Sequence, residues 1–226
     1  EQQLGSALGQ AINYANLGAI FERQGQVDSA WRYYRRSMEL NREIGNQLGI
    51  SLCHTHYGTL YERAKDYPRA VKEYETAYEL MKASKDEWHA LSSLIALAGI
   101  HNTLEDNARV EDYLAQAKAI AERIHSKEHL AEIYALYHRY YSRRGLYQQA
   151  LASKEQADAL QDSVISIEKI NRIQNASINI ERSRQRQQMD AVQLKLRQEK
   201  TKWEIGFGIF LLTLIVLVAV MVVLLY

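Results

Sequence analysis

The side chains with chemistry to offer are seven histidines, one cysteine and a set of arginines that follow glutamates. Histidines bind metals when their imidazoles converge from one face of an element. His54 and His56 are two apart and point to different faces of a helix. His125 and His129 are four apart, but Ser126-Lys127 reads as a helix junction between them. No HExxH pattern and no cysteine pair accompanies them, so neither a metal nor any other cofactor is expected. Cys53 stands alone, which excludes an intrachain disulfide; it reads as a small buried apolar residue rather than a nucleophile. There is no Gly-rich phosphate loop, no nucleophile elbow and no isolated acid pair in a recognisable setting. The chain therefore does not read as an enzyme. Its 28 Lys and Arg nearly cancel 27 Asp and Glu, which gives no basis for nucleic-acid binding.

What remains is recognition. Glu22-Arg23 recurs as Glu62-Arg63, and Arg139 and Arg143 follow later. A guanidinium presents paired donors that fit a carboxylate, so these arginines suit an acidic or carboxylate-bearing peptide. The elements that carry them repeat. Leu17-Gly18-Ala19-Ile20-Phe21-Glu22-Arg23 reappears as Tyr57-Gly58-Thr59-Leu60-Tyr61-Glu62-Arg63, a shift of 40 residues. The same shift carries Ala30 to Ala70 and Tyr34 to Tyr74. Further steps reach Ala98, Val110 and Leu114, then His138, Ala150 and Ala157.

Each unit reads as two helices, from apolar residues at three- and four-residue spacings. Gly25-Gln26, Lys65-Asp66-Tyr67-Pro68 and Arg144-Gly145 interrupt units, and Gly45-Asn46 closes the first. Gly18, Gly58 and Ala98 are placed where the first helix touches its partner, with Ala30, Ala70 and Ala150 answering from the second. The expected architecture is all-α, with hairpins at 7–46, 47–86, 87–126 and 127–160. Residues 1–6 align with the end of a preceding unit, so at least one more repeat is expected upstream.

This pattern resembles the tetratricopeptide repeat family, in a 40-residue variant. Leu17, Gly18, Phe21, Ala30 and Tyr34 carry the resemblance, and again Tyr57, Gly58, Tyr61, Ala70, Tyr74 and Ala77. Unit three departs at His101, where an aromatic is expected, and unit four at His138 and Lys154. The resemblance implies an α-solenoid whose first helices line a concave groove for a protein or peptide. By register it assigns to that groove Glu22, Arg23, Thr55, Thr59, Glu62, Arg63, Asn102, Arg139 and Arg143. Chaperone-binding members hold a C-terminal carboxylate with a Lys/Asn clamp. Ala15, Ala19, Thr55 and Thr59 stand at those places, so a chaperone adaptor is not expected.

From Leu151 to Ile205 there is no Gly or Pro, which predicts one long helix over 161–204. A four-three spacing runs from Leu160 through Ile167, Ile178, Met189 and Val192 to Trp203, with polar residues in its middle. It allows either a solvated single helix or a weak homodimeric coiled coil over 160–203. Residues 205–226 carry no charged side chain and are long enough to span a bilayer as a helix. The order of repeats, long helix and single span resembles membrane-bound repeat sensors of Bacteroidetes-type bacteria. That resemblance implies periplasmic repeats and an output domain beyond Tyr226. The alternative is a tail-anchored cytoplasmic adaptor, because Lys195, Arg197, Lys200 and Lys202 precede the span.

Overall fold

The computed structural model describes the backbone of residues 2–225, and the side chains of 6–197, 200–205, 207–209, 211, 213 and 221. Among these residues there are eight helices: α1 (Gln2–Arg23), α2 (Val27–Glu43), α3 (Gln47–Arg63), α4 (Tyr67–Ala83), α5 (Glu87–Thr103), α6 (Asn107–Arg123), α7 (Lys127–Arg143) and α8 (Tyr147–Leu225). They fall into two units, Glu1–Ile165 and Ser166–Tyr226. In the first, α1 packs on α2, α3 on α4 and α5 on α6, and each hairpin leans on the next. The described part of the second unit is helical. The membrane span expected at 205–226 lies largely outside the residues whose side chains are described. Among the described residues no helix is long and apolar enough to cross a membrane.

A single turn design sets the spacing. α2 to α7 are each 17 residues long. Left-handed backbone recurs at positions 25, 45, 65, 85, 105, 125 and 145, so one helix and one turn together take twenty residues. Each turn closes in the same way. Gly25 N–H donates to the Glu22 carbonyl at 3.0 Å and Gln26 N–H to the Phe21 carbonyl at 2.9 Å. This pair of bonds satisfies carbonyls that a helix end leaves open. The residue after the left-handed position also begins the next helix. Asn46, Asp66, Asp86, Asp106 and Ser126 each accept a hydrogen bond from the third N–H of the helix that follows.

Within hairpins, small residues face large ones. A β-carbon added to Gly18 would lie 2.5 Å from the Tyr34 ring, and one on Gly58 would lie 2.6 Å from the Tyr74 ring. The tyrosines, rather than the alanines four residues before them, therefore meet the glycines, while Ala30 and Ala70 lie fully buried beside them. Unit three makes the opposite trade: Ala98 and Leu114 are both fully buried at the corresponding positions. A second small pair holds the other end. Ser37 donates to the Ala11 carbonyl at 2.8 Å, and in the next hairpin Ser51 donates to the Ala77 carbonyl at 3.1 Å. The serine has changed helices, but the bond spans the same place. Between hairpins, the Trp31 ring stacks on Tyr57 and meets Tyr61 edge-on, both at 5.0 Å. Further along, Leu91, Leu94, Leu114, Ile133 and Tyr140 form a buried cluster over three helices.

Four left-handed positions hold residues with a side chain: Lys65, Lys85, Glu105 and His125. An L-residue there costs roughly 1–2 kcal/mol, partly offset by the chain entropy that glycine loses on folding. Glu105→Gly is expected to stabilise the chain by about 0.5 kcal/mol, and Gly45→Ala to destabilise it by about 1 kcal/mol. Urea unfolding of the two variants checks both signs.

Candidate binding face

The first helices α1, α3, α5 and α7 present one face on which positions recur every forty residues. Two recesses open there. The first, of about 340 Å³, lies between α1 and α3 and is lined mainly by Leu8, Ile12, Ala15, Leu48 and Leu52. Leu8 and Leu48 are equivalent positions, as are Ile12 and Leu52, and all four are more than a third exposed. The second, of about 390 Å³, is polar and is lined by Thr59, Glu62, Arg63, Lys65, Tyr67 and Thr103.

The nine residues assigned to a groove do not all stay free to meet a ligand. Arg63 turns back to the preceding hairpin. It donates to the Glu22 carbonyl at 2.8 Å and lies 3.3 Å from the Glu22 carboxylate. That carboxylate is nearly buried and also accepts from the Tyr34 hydroxyl at 2.6 Å. Arg143 repeats the arrangement one pair of hairpins later. It donates to the Asn102 carbonyl and, at 2.7 Å, to the Asn107 side chain. Both arginines thus close the end of the previous first helix. Thr103 stands at the position between them in the repeat, and its short side chain donates instead to Gly99 of its own helix. No arginine fills that junction, and the polar recess lies there.

The others divide. Glu62 accepts from the Tyr74 hydroxyl at 3.1 Å, and Thr59 lies 3.1 Å from the same oxygen. Thr55 donates to the Ser51 carbonyl within its own helix. Arg23 is exposed and reaches only the Ala19 carbonyl at 3.4 Å. Arg139 is exposed too. The Asn102 side-chain oxygen is buried without a hydrogen-bond partner. Thr59, Glu62 and Arg63 come together in the polar recess; Arg23, Thr55, Asn102, Arg139 and Arg143 do not join them. Sequence periodicity did not single out Lys65, Tyr67 or Thr103, nor the apolar recess. The recess had a signal, since Leu8 with Leu48 and Ile12 with Leu52 repeat by forty. Apolar helical positions read first as core.

The family model Tetratricopeptide repeat matches residues 9–83. These two hairpins are tetratricopeptide repeats. No curated protein matches the chain. Among solved structures, BtubC (BKLC) from P. vanneervenii superposes with a TM-score of 0.58 at 18% identity, over 68% of this chain and 64% of that one. Aspartyl phosphate phosphatase F from Bacillus subtilis superposes with a TM-score of 0.63 at 18% identity, over 70% of this chain and 41% of that one. The chain thus spans less than two thirds of either protein's length. At this identity the likeness establishes the helical-repeat fold.

Several titratable groups of the helical array are buried and take part in packing. Among the described residues no three His, Cys, Asp or Glu side chains converge as metal ligands. Burial pushes the Cys53 thiol up, away from the reactive thiolate. Tyr57 is pushed up to about 12 by burial. His56, stacked on Tyr34 at 4.2 Å, is held below the usual imidazole range by burial. The same holds for His129, which meets the Trp88 ring edge-on at 4.5 Å, and for His101. His101 occupies the place of Phe21, Tyr61 and Tyr141. It is buried, its Nδ1 lies 3.4 Å from the Asp106 carboxylate, and neither ring nitrogen makes a hydrogen bond.

All three histidines bind a proton less readily in the folded chain than in the unfolded one. Stability is therefore full above the ordinary imidazole value near 6.5 and falls as the pH drops below it. His101→Phe restores the repeat's aromatic and removes two buried ring nitrogens, at the loss of the contact with Asp106. It is expected to raise stability at pH 7 by about 1 kcal/mol and to reduce the loss between pH 6.5 and pH 5. Thermal unfolding as a function of pH measures both effects.

Proposed function

We propose that this chain is the protein-binding part of a membrane-anchored signalling protein, and that its first helices take an extended segment of a partner. The observation that carries this is the pair of recesses on one face. An apolar side chain fits between Leu8, Ile12, Leu48 and Leu52, and polar groups of the same segment meet Thr59, Glu62 and Lys65. Exposed large apolar residues that repeat on one face are a recognition feature rather than a packing one. The helical-repeat fold supports a protein partner.

Support for an anchor comes from composition and exposure. Residues 205–226 have no charged side chain. Trp203, Ile205, Phe207 and Ile209 are each more than half exposed on their helix, a poor arrangement in water and a good one in lipid. Met189, Val192 and Leu196 are also more than half exposed, and Ile167 nearly so, which supports a homodimer through the preceding helix. In this reading the repeats face the periplasm and the helix carries the bound state across the membrane. The basic Lys195, Arg197, Lys200 and Lys202 favour a second reading, a cytoplasmic adaptor anchored by its tail.

Two experiments test the proposal. Peptides selected from a display library against the chain are expected to lose at least tenfold in affinity with Ile12→Asp or Leu52→Asp and to be unaffected by Tyr147→Asp, with helix content unchanged by circular dichroism. Selected peptides indifferent to both inner-face variants would remove the face. Topology reporters at the two ends are expected to place the N-terminal side in the periplasm; a cytoplasmic N-terminal side selects the adaptor.

A further inference from the structure

The second helices carry a cleft that the inner-face reading does not use. It has a volume of about 630 Å³ and lies where α2 meets the end of α3 and the start of α4. Trp31 and Tyr61 line it, and Arg32, Arg35, Arg36 and Arg69 surround them. Two of these arginines are already engaged: Arg36 pairs with Glu39 at 2.9 Å, and Arg69 pairs with Asp66 while its guanidinium lies 4.7 Å over the Tyr61 ring. Arg32 and Arg35 are exposed, and among the described residues neither has an ion-pair partner. Like charges at positions 32, 35 and 36 sit within one turn of α2 and repel one another.

A solvated basic face is the plain alternative, and the repeat supplies its own control. The same junction recurs forty and eighty residues later. Counting the eight lining positions, four arginines against Asp28 and Glu39 give the first junction a net charge of +2. At the second, Lys72 and Arg109 are balanced by Glu75 and Glu79. At the third, Glu111 and Asp112 give those positions a net of −2, with Arg144 pairing to Glu111 at 3.0 Å from outside them. Trp31 becomes Val71 and then Glu111. A generic solvated face would not concentrate arginine and tryptophan at one junction of three.

The charge pattern also limits the ligand. A nucleic acid running along this face would find no basic cluster at the second or third junction, so a long phosphate backbone is disfavoured. Within the cleft, Arg32 to Arg36 extends over about 6 Å of helix at ~1.5 Å per residue, and Arg69 adds a further point from α4. Two or three successive residues of extended chain, at ~3.3 Å each, cover that distance. Asp28 and Glu39 bound the arginines at either end of the stretch. We infer that this cleft binds a short acidic segment of a partner protein, two or three consecutive carboxylates, through the free guanidinium groups of Arg32 and Arg35 against the Trp31 and Tyr61 floor.

The test uses the full chain in non-ionic detergent and a fluorescein-labelled Gly/Ser peptide with three central glutamates. Fluorescence anisotropy is expected to show binding that weakens as salt rises. The double variant Arg32→Ala with Arg35→Ala is expected to bind at least tenfold less tightly. Lys72→Ala with Arg109→Ala, at the second junction, is expected to leave binding unchanged; all four positions are exposed or lie outside the core. No binding, equal binding of the glutamine version of the peptide, or equal loss in the second-junction variant overturns the inference. Pyrophosphate displacing the peptide at far lower concentration than unlabelled peptide assigns the cleft to a small phosphate compound and also overturns it.

Discussion

The approach of two helices across a residue with no side chain is the constraint from which the rest of the repeat unit follows. Gly18 and Gly58 let a tyrosine ring lie directly on the backbone of the first helix. Close-packed interiors tolerate neither a void nor an extra methyl at such a contact. With the ring in that place, its hydroxyl reaches a carboxylate next to the helix end, one turn past the glycine: Tyr34 donates to Glu22 and Tyr74 to Glu62. In the first hairpin the same carboxylate receives Arg63 from the next. One steric fact inside a hairpin thus leads, through one buried acid, to the contact between hairpins.

Turn chemistry determines which faces remain available. Every helix from α2 to α7 has the same length and every turn a left-handed residue at the same place, so equivalent side chains return to the same face after two helices. Periodicity alone would give a uniform surface. The surface is not uniform: Thr103 for an arginine leaves a polar recess, and the apolar residues that positions 8, 12, 48 and 52 share, replaced at position 92 by serine, line an apolar one. The second-helix face grades from basic to acidic over the same hairpins.

The period of forty and the helical class were legible in the sequence, because Gly18-x-x-Phe21 and Gly58-x-x-Tyr61 are short-range patterns that two helices must satisfy together. The partner of each glycine was not, since a tyrosine four residues past a small alanine is equally compatible with facing solvent. Four turns carried no glycine, and Lys65, Lys85, Glu105 and His125 gave no local sign of left-handed backbone. The candidate face was half legible. Thr59, Glu62 and Arg63 fell in one recess, but Arg63 and Arg143 act first on carbonyls forty-one residues earlier, a contact that no local pattern reveals.

A double-mutant cycle between Gly58 and Tyr74, read by urea unfolding of the full chain, tests the central constraint most directly. Gly58→Ala alone is expected to cost about 2 kcal/mol, because the added β-carbon meets a ring that cannot move. In the Tyr74→Leu background, which reproduces the Ala98 and Leu114 pairing of unit three, the same change is expected to cost less than about 0.5 kcal/mol. Additive effects of the two substitutions would contradict the account.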